Sequence, residues 1–205
     1  MKQTINDEKL QTLITTCFKQ SMSIEETFFS TESKKIARAC WAMAQRYHRA
    51  GRLLAFGNEL WVADIQHVAS VSVRPVSVNK RPLPAWALTN EDPPNGLLKH
   101  QSTHNVVTSF AHQLHILGRS QDIALGFSPD GNCPNVTRAM EQAQRMGMLT
   151  LGLTGGTGGH IRRTRPDFCF VVPTQDPIIV QDIHETLYHI LWEMVHVFFE
   201  HDGLM

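Results

Sequence analysis

Five short apolar runs constrain this chain most. They are Arg52–Gly57 (RLLAFG), Pro84–Thr89 (PAWALT), Ile123–Ser128 (IALGFS), Leu149–Thr154 (LTLGLT) and Phe168–Pro173 (FCFVVP). Each is near-continuous rather than alternating, as a strand buried on both faces should be. Helical spacing fills the intervals. Residues 62–73 and 136–146 carry it, the latter with Met140 and Ala143, and 103–117 places Val106, Val107, Phe110, Ala111, Leu114 and Leu117 on one stripe. Alternation of this kind predicts an α/β fold: a parallel sheet with right-handed crossovers and helices on both faces.

The first 50 residues hold no strand pattern. Leu10, Leu13, Ile14, Cys17 and Phe18 repeat at helical spacing, and so do Ile36, Ala39, Cys40, Met43 and Ala44, which predicts two helices. The last stretch, about 178–201, carries Ile183, Leu187, Ile190, Leu191, Met194, Val195 and Phe198. That stripe is wider than one sheet face needs, so part of it is expected to bury against another subunit. Segment 90–102 (NEDPPNGLLKHQS) has no period and reads as a loop at a strand C-terminal end, where open α/β sheets bind ligands.

Bulk properties narrow the function. Formal net charge is +0, so nothing global draws the chain to nucleic acid or an acidic membrane. Arg162, Arg163 and Arg165 read as a solvated helix face. The polar N-terminus lacks a signal-peptide core, no apolar run approaches a membrane span, and the four cysteines lack CxxC spacing. These features predict a cytoplasmic protein with reduced thiols.

The run Asp122–Asn132 (DIALGFSPDGN) reads as a strand, a turn and a helix start, with Pro134 suited to the first helical position. Such a turn presents free backbone N–H groups and is a ready anion site. Yet Asp130 sits where a phosphate pocket wants neutral hydroxyls, and a fixed carboxylate repels phosphate at close range. The expected resolution is that Asp130 caps the helix and takes the phosphate's place. Gly155–Gly159 (GGTGG) lacks the Lys-Ser/Thr ending of a P-loop and reads as a strand-to-helix turn.

Taken in order, LLAFGN, PLPAWALT, DIALGFSPDGN, the helix to Gly147, MLTLGLTGGTGG and VQDIHETLYHIL resemble the sugar isomerase (SIS) domain family. The branch is that of bacterial sedoheptulose-7-phosphate isomerase and the related replication initiator-associating protein. The resemblance runs from about residue 10 to 200. It implies a three-layer sandwich with a five-stranded parallel sheet, N-terminal helices (1–50) used for oligomerisation, an SIS domain over 51–205, and a tetramer with active sites between subunits.

Functional residues transfer unevenly. The family's first loop is Gly-Asn-Gly-Gly-Ser; here Gly57, Asn58, Glu59, Leu60 and Trp61 stand there. Its third-strand cradle is Ser-Thr-Ser-Gly-Asn-Ser; here it is Ser128, Pro129, Asp130, Gly131, Asn132 and Cys133. Ketose–aldose isomerisation needs a base beside C–H and an acid beside the oxygens. The resemblance places those roles at His189 and at Val71, which cannot take a proton. His67 and Gln181 match pocket residues that, with the other two positions, hold zinc in some relatives. Glutamine is a poor zinc ligand.

The candidate site is therefore His189 and Glu59 for proton transfer, with Asn58, Trp61, Ser128, Asp130, Gly131, Asn132 and Gln181 for ligand. His67 and His189 are the candidate metal pair, or else two half-buried histidines bonded to backbone. Trp61 is a stacking surface for a sugar ring or a plug in a vacant pocket. Glu59 is a relocated base or an acid complementing a helix dipole. His184, His196 and His201 are expected at the surface, and His104, His112 and His115 on a polar face. The expected function is binding of a sugar or sugar phosphate with degraded isomerase catalysis and a regulatory or scaffold role toward a protein partner. The alternative is an active isomerase with a remodelled pocket, drawing on Glu59, Asp130, His67 or His189. No cofactor is required, zinc is possible, and neither nucleic acid nor a membrane is a partner.

Overall fold

The computed structural model describes residues 7–58, 61–75, 80–89 and 103–201, the side chains of 103–108 excepted. Strands β1 (Leu53–Phe56), β2 (Ala85–Leu88), β3 (Ile123–Ser128), β4 (Leu149–Gly155) and β5 (Phe168–Val172) coincide with the five apolar runs. They form one parallel sheet in the order β2-β1-β3-β4-β5. Between them run α1 (Asp7–His48), α2 (Trp61–Val73), α3 (Thr103–Leu117), α4 (Pro134–Arg145) and α5 (Gly159–Arg163), and α6 (Pro177–Glu200) closes the chain.

Strand side chains alternate between two cores. Leu53, Ala55, Ile123, Leu125, Phe127, Leu151 and Leu153 pack under α1, α2 and α6. Leu54, Phe56, Leu88 and Ala124 pack under α3, α4 and α5. The three-layer α/β sandwich expected from the sequence is what forms. At the opposite end from the strand C-termini, buried Asp122 accepts from the Arg52 guanidinium at 2.6 Å and from the backbone N–H groups of Arg52 and Arg119, each at 2.9 Å. A buried carboxylate so fully partnered fixes the start of β3 against β1.

Two expectations need correction. The first 50 residues make one 42-residue helix, not two. No glycine or proline interrupts Asp7–His48, so the helix propagates through the polar stretch between its apolar patches. The wide stripe of α6 is covered largely by the chain's own α1. Ile36, Ala39, Cys40, Met43, Ala44 and Tyr47 share a core with Ile183, Leu187, Leu191 and Val195, and Ile190, Met194 and Phe198 pack against it. Helix α1 is thus half core and half extension. At 1.5 Å per residue the helix is about 63 Å long, and residues 7–20 are exposed throughout.

Arg162, Arg163, Arg165, His112, His115 and His201 are exposed as expected. The loop at 90–102 and the side chain of His104 lie outside the described residues. Cys17, Cys40, Cys133 and Cys169 are all free. No helix among the described residues is long and apolar enough to cross a membrane.

Candidate functional site

Because β1 and β3 are neighbours, the loops that follow them meet at one end of the sheet. Their meeting is fixed by paired amides: Asn58 Nδ2 donates to Asn135 Oδ1 at 2.7 Å, and Asn135 Nδ2 donates back to Asn58 Oδ1 at 2.8 Å. The side chain of Asn58, expected to face a ligand, is engaged within the protein. Glu59 and Leu60 lie outside the described residues.

Trp61 opens α2 and is 2% exposed, so its ring is no open platform for a sugar. The plug reading fits this burial, and the stacking role is corrected. The indole N–H donates to His184 Nδ1 at 3.0 Å. Indole nitrogen can only donate, so Nδ1 must be the bare nitrogen. The imidazole proton then sits on Nε2, 3.3 Å from the Thr154 carbonyl. Burial pushes the His184 pKa down to about 3, and the ring is neutral at ordinary pH.

The expectation that His184 and His196 lie at the surface was wrong. His184 is fully buried because it continues the row Val180, Leu187, Leu191 and Val195 that faces the sheet. His196 is buried with its ring between the Trp192 and Arg81 carbonyls, at 2.8 and 3.0 Å. A histidine hidden in an apolar row is readable from helical spacing alone.

The loop after β3 satisfies itself. Ser128 is buried, and its hydroxyl oxygen accepts from the N–H of Gly131 at 3.1 Å and of Cys133 at 3.5 Å. Asp130 is exposed and accepts from Asn132 twice, backbone N–H and side-chain Nδ2, each at 2.9 Å. Burial pulls the Asp130 pKa up, but these bonds outweigh it and hold the carboxyl below its ordinary value. The capping role expected of Asp130 is not what forms. The residue at the N-cap of α4 is Cys133, which makes no side-chain cap bond, while Val136 N–H is taken by Asn135 Oδ1 at 2.9 Å.

GGTGG is a strand-to-helix turn, as expected, and its glycines serve packing. Gly131 has φ +78° and lies so close that an added Cβ would fall 2.1 Å from the Gly158 carbonyl oxygen. The turn after β4 is thereby pressed against the turn after β3, and Ile161 N–H donates to the Gly131 carbonyl at 3.0 Å.

Beside these loops, α2 faces α6. Buried Asp64 accepts from Gln181 Nε2 at 2.8 Å and from the Tyr188 hydroxyl at 3.4 Å. Burial raises the Asp64 pKa, and the Gln181 bond opposes it. One turn along α2, His67 Nε2 lies 3.0 Å from His189 Nε2. One nitrogen of that pair donates and the other accepts, so at least one ring is neutral. Burial, then the neighbouring His67, lower the His189 pKa. Tyr188 packs its ring against both imidazoles.

The structure therefore brings His67 and His189 together, bonds Gln181 to Asp64 one turn before His67, and adds two residues the sequence reading missed. Asp64 lies one turn before His67. Glu185 lies midway between Gln181 and His189, and its carboxylate is within 4.8 Å of both imidazole donors. The signal was present as the spacing i, i+4, i+8 along α6.

Comparison with known proteins accords with this architecture. A phosphoheptose isomerase of Desulfovibrio desulfuricans is 35% identical over 190 residues, 93% of this chain and 89% of that protein. One from Aquifex aeolicus is 30% identical over 178 residues, 87% and 92% of the two chains. The solved phosphoheptose isomerase of Neisseria gonorrhoeae superposes with a TM-score of 0.79 at 27% identity, covering 91% of this chain and 98% of that one. That of Francisella tularensis gives 0.81 at 26%, with the same coverage. The SIS domain profile matches residues 17–155, and with relatives of this identity and coverage and a sheet and helix order of this kind the chain belongs to the SIS domain family.

Proposed function

We propose that this protein binds a sugar or sugar phosphate in the cleft between α2, α6 and the loops after β1 and β3, with isomerase catalysis weakened relative to its enzyme relatives. The supporting observation is what the loop after β3 does with its donors: Ser128, Asp130 and Asn135 take backbone N–H groups that an anion would need. Val71 adds to this, since it stands where the resemblance places a proton-transferring glutamate. His67, Gln181 and His189 remain in the cleft to contact a ligand.

A general acid or base contributes about 100- to 10,000-fold to rate. Turnover of sedoheptulose 7-phosphate should therefore fall below that of the Desulfovibrio relative, assayed in parallel, by about that factor. A sugar phosphate or a neutral sugar should still raise the unfolding midpoint, because a ligand of the native state stabilises it. Equal turnover would refute the weakened catalysis. A flat midpoint across both ligand classes would refute the binding.

A second reading, an active isomerase with a remodelled pocket, draws on the nearness of Glu185 to His189. It requires that Glu185→Gln abolish whatever turnover the protein has.

We also propose that a second copy of the chain covers the free half of α1, giving a homo-oligomer of the tetrameric kind the resemblance implies. Leu10, Leu13, Ile14, Phe18 and Met22 are 47–64% exposed and share a helical face. Burying apolar area contributes about 25 cal/mol per Å². Placing glutamate at both Ile14 and Phe18 should reduce the mass measured by light scattering during size exclusion. A monomeric wild type, or a mass unchanged by the substitutions, would sink this assignment.

A further inference from the structure

We propose that His196 is a proton-dependent clasp: as an imidazolium it fastens residues 80 and 81, the approach to β2, onto the C-terminal half of α6, and it lets go when it loses its second proton. Its ring faces two carbonyl oxygens. Nδ1 lies 2.8 Å from that of Trp192, and Nε2 lies 3.0 Å from that of Arg81. A carbonyl oxygen only accepts, and a neutral imidazole carries one N–H. A neutral ring therefore sets a bare nitrogen against one of the two oxygens, acceptor facing acceptor. The imidazolium donates to both. His184, the other buried histidine among the described residues, is built the opposite way, because Trp61 donates to its Nδ1.

A positive charge in a place only 2% exposed needs support, since burying an unpaired ion is costly. Trp192 holds its indole 4.5 Å from the imidazole between ring centres, and an aromatic ring attracts a cation. Glu193 and Glu200 stand three residues before and four after His196, on the same side of α6. Both carboxylates pair with Lys80, at 2.9 and 3.6 Å. Arg81 lays its guanidinium over the Phe199 ring, 3.6 Å from its centre, and α1 brings Tyr47 and His48 against the same ring. The two glutamates cancel the lysine and the arginine, so no net charge opposes the imidazolium.

The clasp sits where it matters for the sheet. Strand β2 lies at an edge, with β1 as its one strand neighbour, so its approach relies on contacts from outside the sheet. Protonation and contact are linked: the clasp closes as pH falls and opens as pH rises through the histidine range.

The test is amide hydrogen exchange of the full chain at about pH 6 and about pH 8, with labelling times scaled for the intrinsic rate. Peptides spanning 80–88 and 190–200 should be roughly fivefold less protected at the higher pH, reflecting a charge-assisted bond giving way to a neutral one. Peptides from β3 and β4 should not change. In His196→Gln, which keeps a donor but does not titrate, the pH effect on 80–88 should vanish. Ring-nitrogen NMR of the wild type, isotope-labelled at histidine, needs no variant. At about pH 6 one solvent-shielded imidazole should show two protonated nitrogens, and another, His184, one bare nitrogen. Equal protection at both pH values, a pH effect that survives in His196→Gln, or shielded rings that all keep a bare nitrogen would overturn the proposal. None of these readouts involves a sugar, so each stands apart from the sugar-binding reading.

Discussion

Trp61→Ala should unfold in urea with a stability lower by about 3–5 kcal/mol, the usual loss for truncating a large buried aromatic ring. The ring is 2% exposed and sits in the core with Ile65, Val68 and Phe127. Truncation also leaves His184 Nδ1 without its donor, and an unsatisfied buried acceptor costs about 1–3 kcal/mol. Trp61→Phe separates the two contributions. It keeps most of the apolar volume and removes the indole N–H, so its loss should approach the hydrogen-bond figure alone. A loss below about 1 kcal/mol for Trp61→Ala would show that the ring is not the packed plug described here.

Gly131→Ala should be nearly as damaging, by about 2–5 kcal/mol, for a different reason. A left-handed backbone costs an L-residue about 1–2 kcal/mol, and overpacking adds about 1–3. At φ +78° the new methyl would meet the Gly158 carbonyl carbon at 2.4 Å as well as its oxygen. Neither atom can swing aside as a flexible side chain would. The turn after β4 would have to separate from the turn after β3, breaking the Ile161 to Gly131 hydrogen bond. Asn132→Ala, on the exposed next residue, is the control and should lose only about 1 kcal/mol. If both variants unfold at the same urea concentration as the wild type, the contact between the two turns is not a constraint on the fold.

Both substitutions act within or beside the loops where a ligand is expected. Backbone donors of the loop after β3 are taken up by Ser128, Asp130 and Asn135, and Trp61 is buried against His184. Titratable groups gather instead on α2 and α6, where His67, Glu185 and His189 lie close together.

The apolar runs were sufficient to locate all five strands, and glycine and hydroxyl residues at their ends located the turns. Strand periodicity and helix periodicity are local properties of a chain, so they can be read in windows of a few residues. The same logic failed at α1, where two apolar patches suggested two helices and the absence of any breaker between them was the overlooked signal. It failed at His184 and His196, which lie off the His189 face but on the side of α6 that is buried.

Local patterning accounts for the five strands, their order and hence the layered parallel sheet. The tertiary structure alone decided who faces whom. His67 and His189 are separated by 122 residues, and Trp61 and His184 by 123. Their meeting follows from α2 and α6 lying on the same face of the sheet, and nothing in either local sequence encodes that distance. Glu185 carries the same lesson: its spacing to His189 was legible, but its nearness to His67 arises only because another helix brings that residue alongside.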